Sequence, residues 1–185
     1  MAENKNRSKI MAWIRSVMDL TNYRLDLIEH RKGINMSYNF ILDRIGVDIS
    51  RIQEAKDELT FPVRLKTYIE VMTLHELGHA ADREALMESM PWTIKVHELK
   101  KAAPEDSHYR DPGILKIILD EQLMNIEFEK TAWKNAESLN RLHQIADEAV
   151  FGLIREHSLA SYEMPYQQNL RLYDRLLTEA NDMIA

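Results

Sequence analysis

The residues with the clearest chemical potential lie close together in the segment His75-Glu76-Leu77-Gly78-His79. Successive residues of an α-helix turn by about 100°, so His79 lies about 40° around the axis from His75 and one turn along it. Both imidazoles can then reach one ion on the same side of the helix. Glu76 lies beside that position, where a carboxylate can take a proton from water at the metal. The spacing therefore predicts a metal site, and Zn²⁺ is the expected ion because neutral imidazole binds it well.

The neighbours of this motif predict a buried helix. Uncharged residues line the face opposite the histidines, and they are Ile69, Thr73, Leu74, Leu77, Ala80 and Ala81. Gly78 costs about 1 kcal/mol relative to Ala inside a helix, and it allows another backbone to approach closely. We expect this helix in the centre of the core; the alternative is an amphipathic helix whose polar face merely carries two histidines.

A third protein ligand would leave a fourth position on zinc for water. Four carboxylates on a helix predicted for about residues 114–142 are candidates: Asp120, Glu121, Glu127 and Glu129. The run Glu129-Lys-Thr-Ala132-Trp-Lys-Asn-Ala136 favours Glu129, because it places one carboxylate and two small residues on a single face. Such a face lets this helix pack close to Gly78. A solvated helix charge is the alternative interpretation of Glu129.

Asp82 is a further candidate, three residues after His79. It could orient a histidine ring as the partner that metal-bound imidazoles usually have, or it could itself ligate. An exposed aspartate paired with Arg83 fits the same position equally well. No residue is assigned as the donor to an oxyanion formed at this site.

The two motifs together resemble those of the zincin metallopeptidases, and in particular the ImmA/IrrE-like metallopeptidases. The resemblance implies His75, His79 and Glu129 as zinc ligands, Glu76 as the general base, and a protein or peptide substrate. It also implies a cytoplasmic enzyme of the kind linked to repressor cleavage and mobile elements. The metzincin branch is disfavoured, because its third histidine would fall at Ala85. The alternative function is a non-catalytic binding or regulatory module that retains a metal-stabilised zincin core.

Composition excludes several other classes. Because the chain has no cysteine, any metal must be held by His, Asp or Glu, and disulfide scaffolds and iron–sulfur clusters are excluded. A formal net charge of −6 gives no electrostatic reason to expect nucleic acid. No segment approaches the roughly 20 apolar residues of a membrane span. We therefore expect neither a nucleic-acid nor a membrane partner, and the oligomeric state stays open.

The elements that must position the motif are predicted to be mainly helical, and the resemblance implies an α+β zincin-like arrangement. Only five glycines and five prolines interrupt 185 residues, so long helices are expected. The small-residue face after Glu129 predicts that the central motif helix packs on a second long helix. One or two short strands are expected within residues 34–52, where a short helix competes. The chain length predicts a single domain over residues 1–185.

Breaker residues predict the remaining boundaries. The N-terminal helix is expected over about residues 7–31, capped by Gly33. The motif helix should run from Val63 to a break at Pro91, and residues 102–113 should form an exposed loop. C-terminal helices are expected over about residues 144–183, in two parts separated by Tyr162-Glu-Met-Pro165.

Overall fold

The computed structural model of this chain describes residues 2–182. The helices are α1 (Ala2–Leu20), α2 (Ile49–Asp57), α3 (Leu65–Ala81), α4 (Arg83–Ala102), α5 (Pro112–His143) and α6 (Glu148–Asp182). Three short strands, β1 (Asp26–Glu29), β2 (Met36–Asn39) and β3 (Arg44–Val47), lie between α1 and α2, and a 3₁₀ turn covers Glu105–Tyr109. The prediction of a mainly helical fold with a small sheet is confirmed.

Contacts within the chain group into two compact units. The first comprises the chain up to Glu84 together with Lys130–His157, and the second comprises Ala85–Glu129 together with the chain from Ser158 onward. Helices α5 and α6 are continuous and contribute to both units. The single domain expected from the length stays a prediction, because this grouping does not test whether either unit folds alone.

The sheet of the first unit has the strand order β1-β3-β2. Central β3 pairs in parallel with β1 and antiparallel with β2. Its residues Ile45, Gly46 and Val47 are buried, and a Cβ at Gly46 would lie 2.6 Å from the His30 ring. Strand β2 also contacts α3, so the sheet packs against that helix.

Helix α3 forms the centre of the first unit. Every residue from Val71 to Gly78 is buried, because α1, α2 and β2 pack around the helix. The buried face of α1 consists of Ile10, Ile14, Val17 and Met18. The Thr73 hydroxyl donates a hydrogen bond to the Ile69 carbonyl over 2.7 Å, which satisfies this polar side chain within the helix. The prediction of a buried central helix is confirmed.

The second unit has its own apolar core. Its buried side chains are Val96 of α4 and Leu115, Ile118, Leu119 and Ile126 of α5. Two polar contacts accompany this core: Lys100 pairs with Glu121 over 2.5 Å, and the Asn169 amide donates to Gln122 over 3.1 Å. No described helix combines the length and the apolar character needed to cross a bilayer.

The predicted end of the N-terminal helix is wrong. Helix α1 ends at Leu20, and Asn22 follows with a left-handed φ of 58°. Leu27 and Ile28 belong to β1, because they pair with Ile45 and Gly46 of β3 instead of continuing the helix. Gly33, expected as a helix cap, lies in the loop between β1 and β2 with φ of 70°.

The predicted breaks at two prolines are also wrong. Pro91 lies inside α4, and the motif helix ends earlier, at Ala81. Pro165 lies inside α6, which joins the two predicted C-terminal helices into one. Each proline lacks the backbone N–H that a helix uses, yet helices of 20 and 35 residues continue through these two positions. Met183, the predicted end of the C-terminal helices, lies outside the described residues.

The long helix predicted for about residues 114–142 is confirmed, because α5 covers Pro112–His143.

Helices α3 and α5 approach closely at Gly78. A Cβ on this glycine would lie 2.0 Å from the Ala132 carbonyl oxygen. Beside this contact, the Asn135 side-chain amide donates to the Gly78 carbonyl over 3.1 Å. The predicted close packing of a small-residue face against Gly78 is confirmed.

We expect Gly78→Ala to lower the free energy of unfolding by about 1–3 kcal/mol, because the new methyl overlaps backbone that has no room to move. Urea unfolding measures the change. The matched control is Gly152→Ala in α6, where a Cβ meets nothing within 4 Å. Because alanine is the better helix former, this control should gain up to about 1 kcal/mol. Equal effects at the two glycines would contradict the close-contact account.

Asp48 joins the sheet to α2. Its buried carboxylate caps α2 by accepting a hydrogen bond of 3.1 Å from the backbone N–H of Arg51. It also accepts a hydrogen bond of 3.1 Å from the backbone N–H of Gly33, in the loop between β1 and β2. The Arg51 N–H contributes most to lowering the pKa of Asp48 below its ordinary value, against the opposing effect of burial. The native state therefore favours the ionised carboxylate.

We expect Asp48→Ala to lower the free energy of unfolding at pH 7 by about 0.5–2 kcal/mol, because the cap is lost. Since the pKa is lowered on folding, the ionised form contributes fully above the unfolded pKa, and this contribution is lost as pH falls through the folded value, below about pH 4. Urea titrations at several pH values test this, with exposed Asp57→Ala as the control. A difference that grows below pH 4 would contradict the assignment.

Candidate metal centre

Helix α3 positions the three residues of the His75-to-His79 motif. His75 and Glu76 are each 4% exposed, and His79 is half-buried. The two imidazole centroids lie 4.7 Å apart with an angle of 70° between the ring planes. The helical spacing of four residues thus brings both rings to one side of α3.

Helix α5 brings Glu129 to the same place. One ligand atom from each of His75, His79 and Glu129 lies within 4.8 Å of the other two. Among the side chains that the structure describes, no other set of three His, Cys, Asp or Glu residues meets this distance. Glu129 is only 8% exposed, so it is not a solvated surface charge.

The three other candidate carboxylates on α5 are placed differently. Asp120 pairs with Lys116, and Glu121 pairs with Lys100. Glu127 is exposed. The geometry and the sequence spacing therefore both favour Glu129 as the third ligand.

The donor set matches the chemistry of zinc. Two imidazole nitrogens and one carboxylate oxygen are the usual ligands of an open site, in which three protein groups leave a fourth position for water. Ligand atoms about 2.1 Å from a tetrahedral ion lie about 3.4 Å from one another. The three ligand atoms lie within 4.8 Å of one another, a limit that includes this spacing. The three residues therefore fit a zinc ion.

Asp82 is not brought into this three-residue group. It lies partly exposed at the C-cap of α3, where its backbone N–H donates to the His79 carbonyl over 3.0 Å. The suggested roles of its carboxylate, as a ligand or as a partner of a ring, stay predictions. The unassigned oxyanion donor also stays open.

Trp133 is the residue that the sequence analysis missed. Its indole stacks on the His75 imidazole, with centroids 4.3 Å apart and planes 20° from parallel. One signal was present in the sequence, because Trp133 follows Glu129 by four residues and so shares its helix face. The stack itself depends on the approach of α5 to α3, which the local pattern of either helix does not contain.

Comparison with known proteins adds no assignment. The sequence matches no family model, and neither the curated proteins nor the solved structures yielded a match. We therefore infer the function from the sequence motifs and from the geometry of His75, His79 and Glu129.

We expect the purified protein to retain about one zinc per chain after dialysis. His75→Ala should retain less than about 0.1 zinc per chain, because the loss of one ligand weakens zinc binding. Elemental analysis of dialysed samples measures both values. His97→Ala, which removes an exposed histidine of α4, is the control and should keep its zinc. Zinc content unaffected by His75→Ala would remove this centre from consideration.

Proposed function

We propose that the protein is a zinc-dependent peptidase that hydrolyses a protein or peptide substrate. His75, His79 and Glu129 hold the metal, and Glu76 is the general base. The observation that carries the proposal is the convergence of ligand atoms from His75, His79 and Glu129 within 4.8 Å of one another. Glu76 is the residue after His75 on α3 and is buried there.

The roles follow from the chemistry of each group. A bound zinc ion supplies Lewis acidity, which polarises a carbonyl oxygen and lowers the pKa of coordinated water. Glu76 accepts the proton of the attacking water and delivers it to the amine that leaves when the peptide bond breaks. Its low exposure supports this role, because a proton acceptor shielded from bulk solvent exchanges its proton with groups in the site.

The resemblance to the ImmA/IrrE-like metallopeptidases supports the finer parts of the proposal. It concerns the motif His75-Glu76-Leu77-Gly78-His79 and the run that begins at Glu129. On this basis we propose a cytoplasmic enzyme that cleaves a repressor or a similar regulatory protein linked to mobile elements.

A second candidate function is a binding or regulatory module whose metal stabilises the fold without turnover. The observation that favours it is the depth of the site, since His75, Glu76 and Glu129 are all at least nine-tenths buried. A structural zinc is closed by four protein ligands, whereas a catalytic zinc keeps one position for water. The two functions therefore differ in coordination as well as in activity.

We expect Glu76→Gln to keep its zinc and to lose hydrolysis by about 10²–10⁴-fold, because the amide cannot accept the proton. Release of dye from fluorescein-labelled casein measures the activity, and elemental analysis measures the metal. The matched control is Glu70→Gln on the same helix, where Glu70 pairs with Lys66 over 3.3 Å. Casein cleavage by Glu76→Gln at the wild-type rate would show that the base is another group. A zinc-loaded wild type that cleaves nothing would favour the non-catalytic module.

A further inference from the structure

The side chain of Trp133 lies flat against the His75 ring, with centroids 4.3 Å apart. Trp133 is only 1% exposed, so the indole closes this face of the imidazole to water. The indole N–H makes no hydrogen bond to any described residue. Packing, rather than a polar contact of its edge, therefore holds the indole in place.

The residues next to Trp133 fix the indole position. The Ala132 carbonyl lies against Gly78 at the close helix contact, and the Asn135 amide donates to the Gly78 carbonyl over 3.1 Å. Phe151 of α6 packs edge-on against the indole, with centroids 5.5 Å apart and planes at 81°. Close-packed neighbours of this kind allow little displacement, so the indole presents a fixed surface.

A fixed flat surface restricts the imidazole beside it. The terminal torsion of a histidine side chain is broad, so an unrestrained ring samples many orientations. Rotation of His75 would drive the edge of its ring into the Trp133 indole, because the two rings are nearly parallel. We propose that Trp133 is a positioning residue, which holds His75 in its metal-binding orientation by stacking. This inference rests on the proposed metal centre.

The expected consequence is tighter metal binding. A ligand that is already oriented loses less conformational freedom when the ion binds. Groups that orient metal-binding histidines usually change metal affinity by about 10- to 100-fold when they are removed. We expect a change of this size on loss of the aromatic face.

Zinc affinities of full-length variants, measured by competition with a chromophoric chelator, test the role. Trp133→Leu should bind about 10- to 100-fold more weakly than wild type, whereas Trp133→Phe should bind within about threefold because it restores an aromatic face. Trp92→Phe, on α4, is the control for loss of an indole elsewhere. Circular dichroism of every variant separates loss of the fold from loss of metal affinity.

A second measurement keeps Trp133 and so does not depend on how its variants fold. In the double variant Trp13→Phe/Trp92→Phe, Trp133 is the remaining indole, since the chain has three tryptophans. Co²⁺ should quench its fluorescence to saturation at one equivalent, and excess Zn²⁺ should restore it. Adding His75→Ala to this background should abolish the quenching.

The outcomes separate the role of Trp133 from the metal centre. Equal zinc affinity of wild type and Trp133→Leu would overturn the positioning role alone, as would Trp133→Phe binding as weakly as a folded Trp133→Leu. Bound Co²⁺ that leaves Trp133 emission unchanged would also overturn it. A wild type that binds neither metal would overturn both the metal centre and the role of Trp133.

Discussion

The backbone contact between Gly78 and Ala132 sets how closely α5 lies against α3. Glycine leaves the space that a side chain would fill, and the Ala132 carbonyl occupies it. Two features of the site depend on this approach. Trp133, the next residue along α5, meets the His75 ring, and Glu129, about one turn earlier, joins the two histidines. A single missing side chain on α3 thus determines where a ligand on another helix lies.

Fold stability and chemistry share the same stretch of α3. The residues from Val71 to Gly78 are buried by neighbouring elements, and the same stretch contains His75 and Glu76. Burial strengthens electrostatic interactions, because low-dielectric surroundings screen charges weakly. It also packs an aromatic side chain against the site, since the Trp133 indole stacks on the His75 ring. The proposed chemistry therefore needs the packing of this core as well as the motif residues themselves.

The parts of the structure that followed from the sequence are local and helical. The spacing of His75 and His79, and the small residues that follow Glu129, are properties of one helix each, so a helical period was enough to interpret them. Strand β1 was missed because Leu27 and Ile28 fit helical spacing equally well, and their pairing partners in β3 are distant in sequence. The helix ends predicted at Pro91 and Pro165 were wrong for a different reason. A proline ends a helix only when the other hydrogen bonds and contacts of that helix do not stabilise it.

X-ray absorption at the zinc edge of the zinc-loaded protein measures which atoms bind the metal. We expect four light-atom neighbours at about 2.0–2.2 Å, with two imidazoles in the shell. Replacing Glu129 by Gln should alter this shell, whereas replacing exposed Glu127 should leave it unchanged. A shell with no imidazole contribution, or one that is identical in the Glu129 variant, would contradict a centre formed by His75, His79 and Glu129.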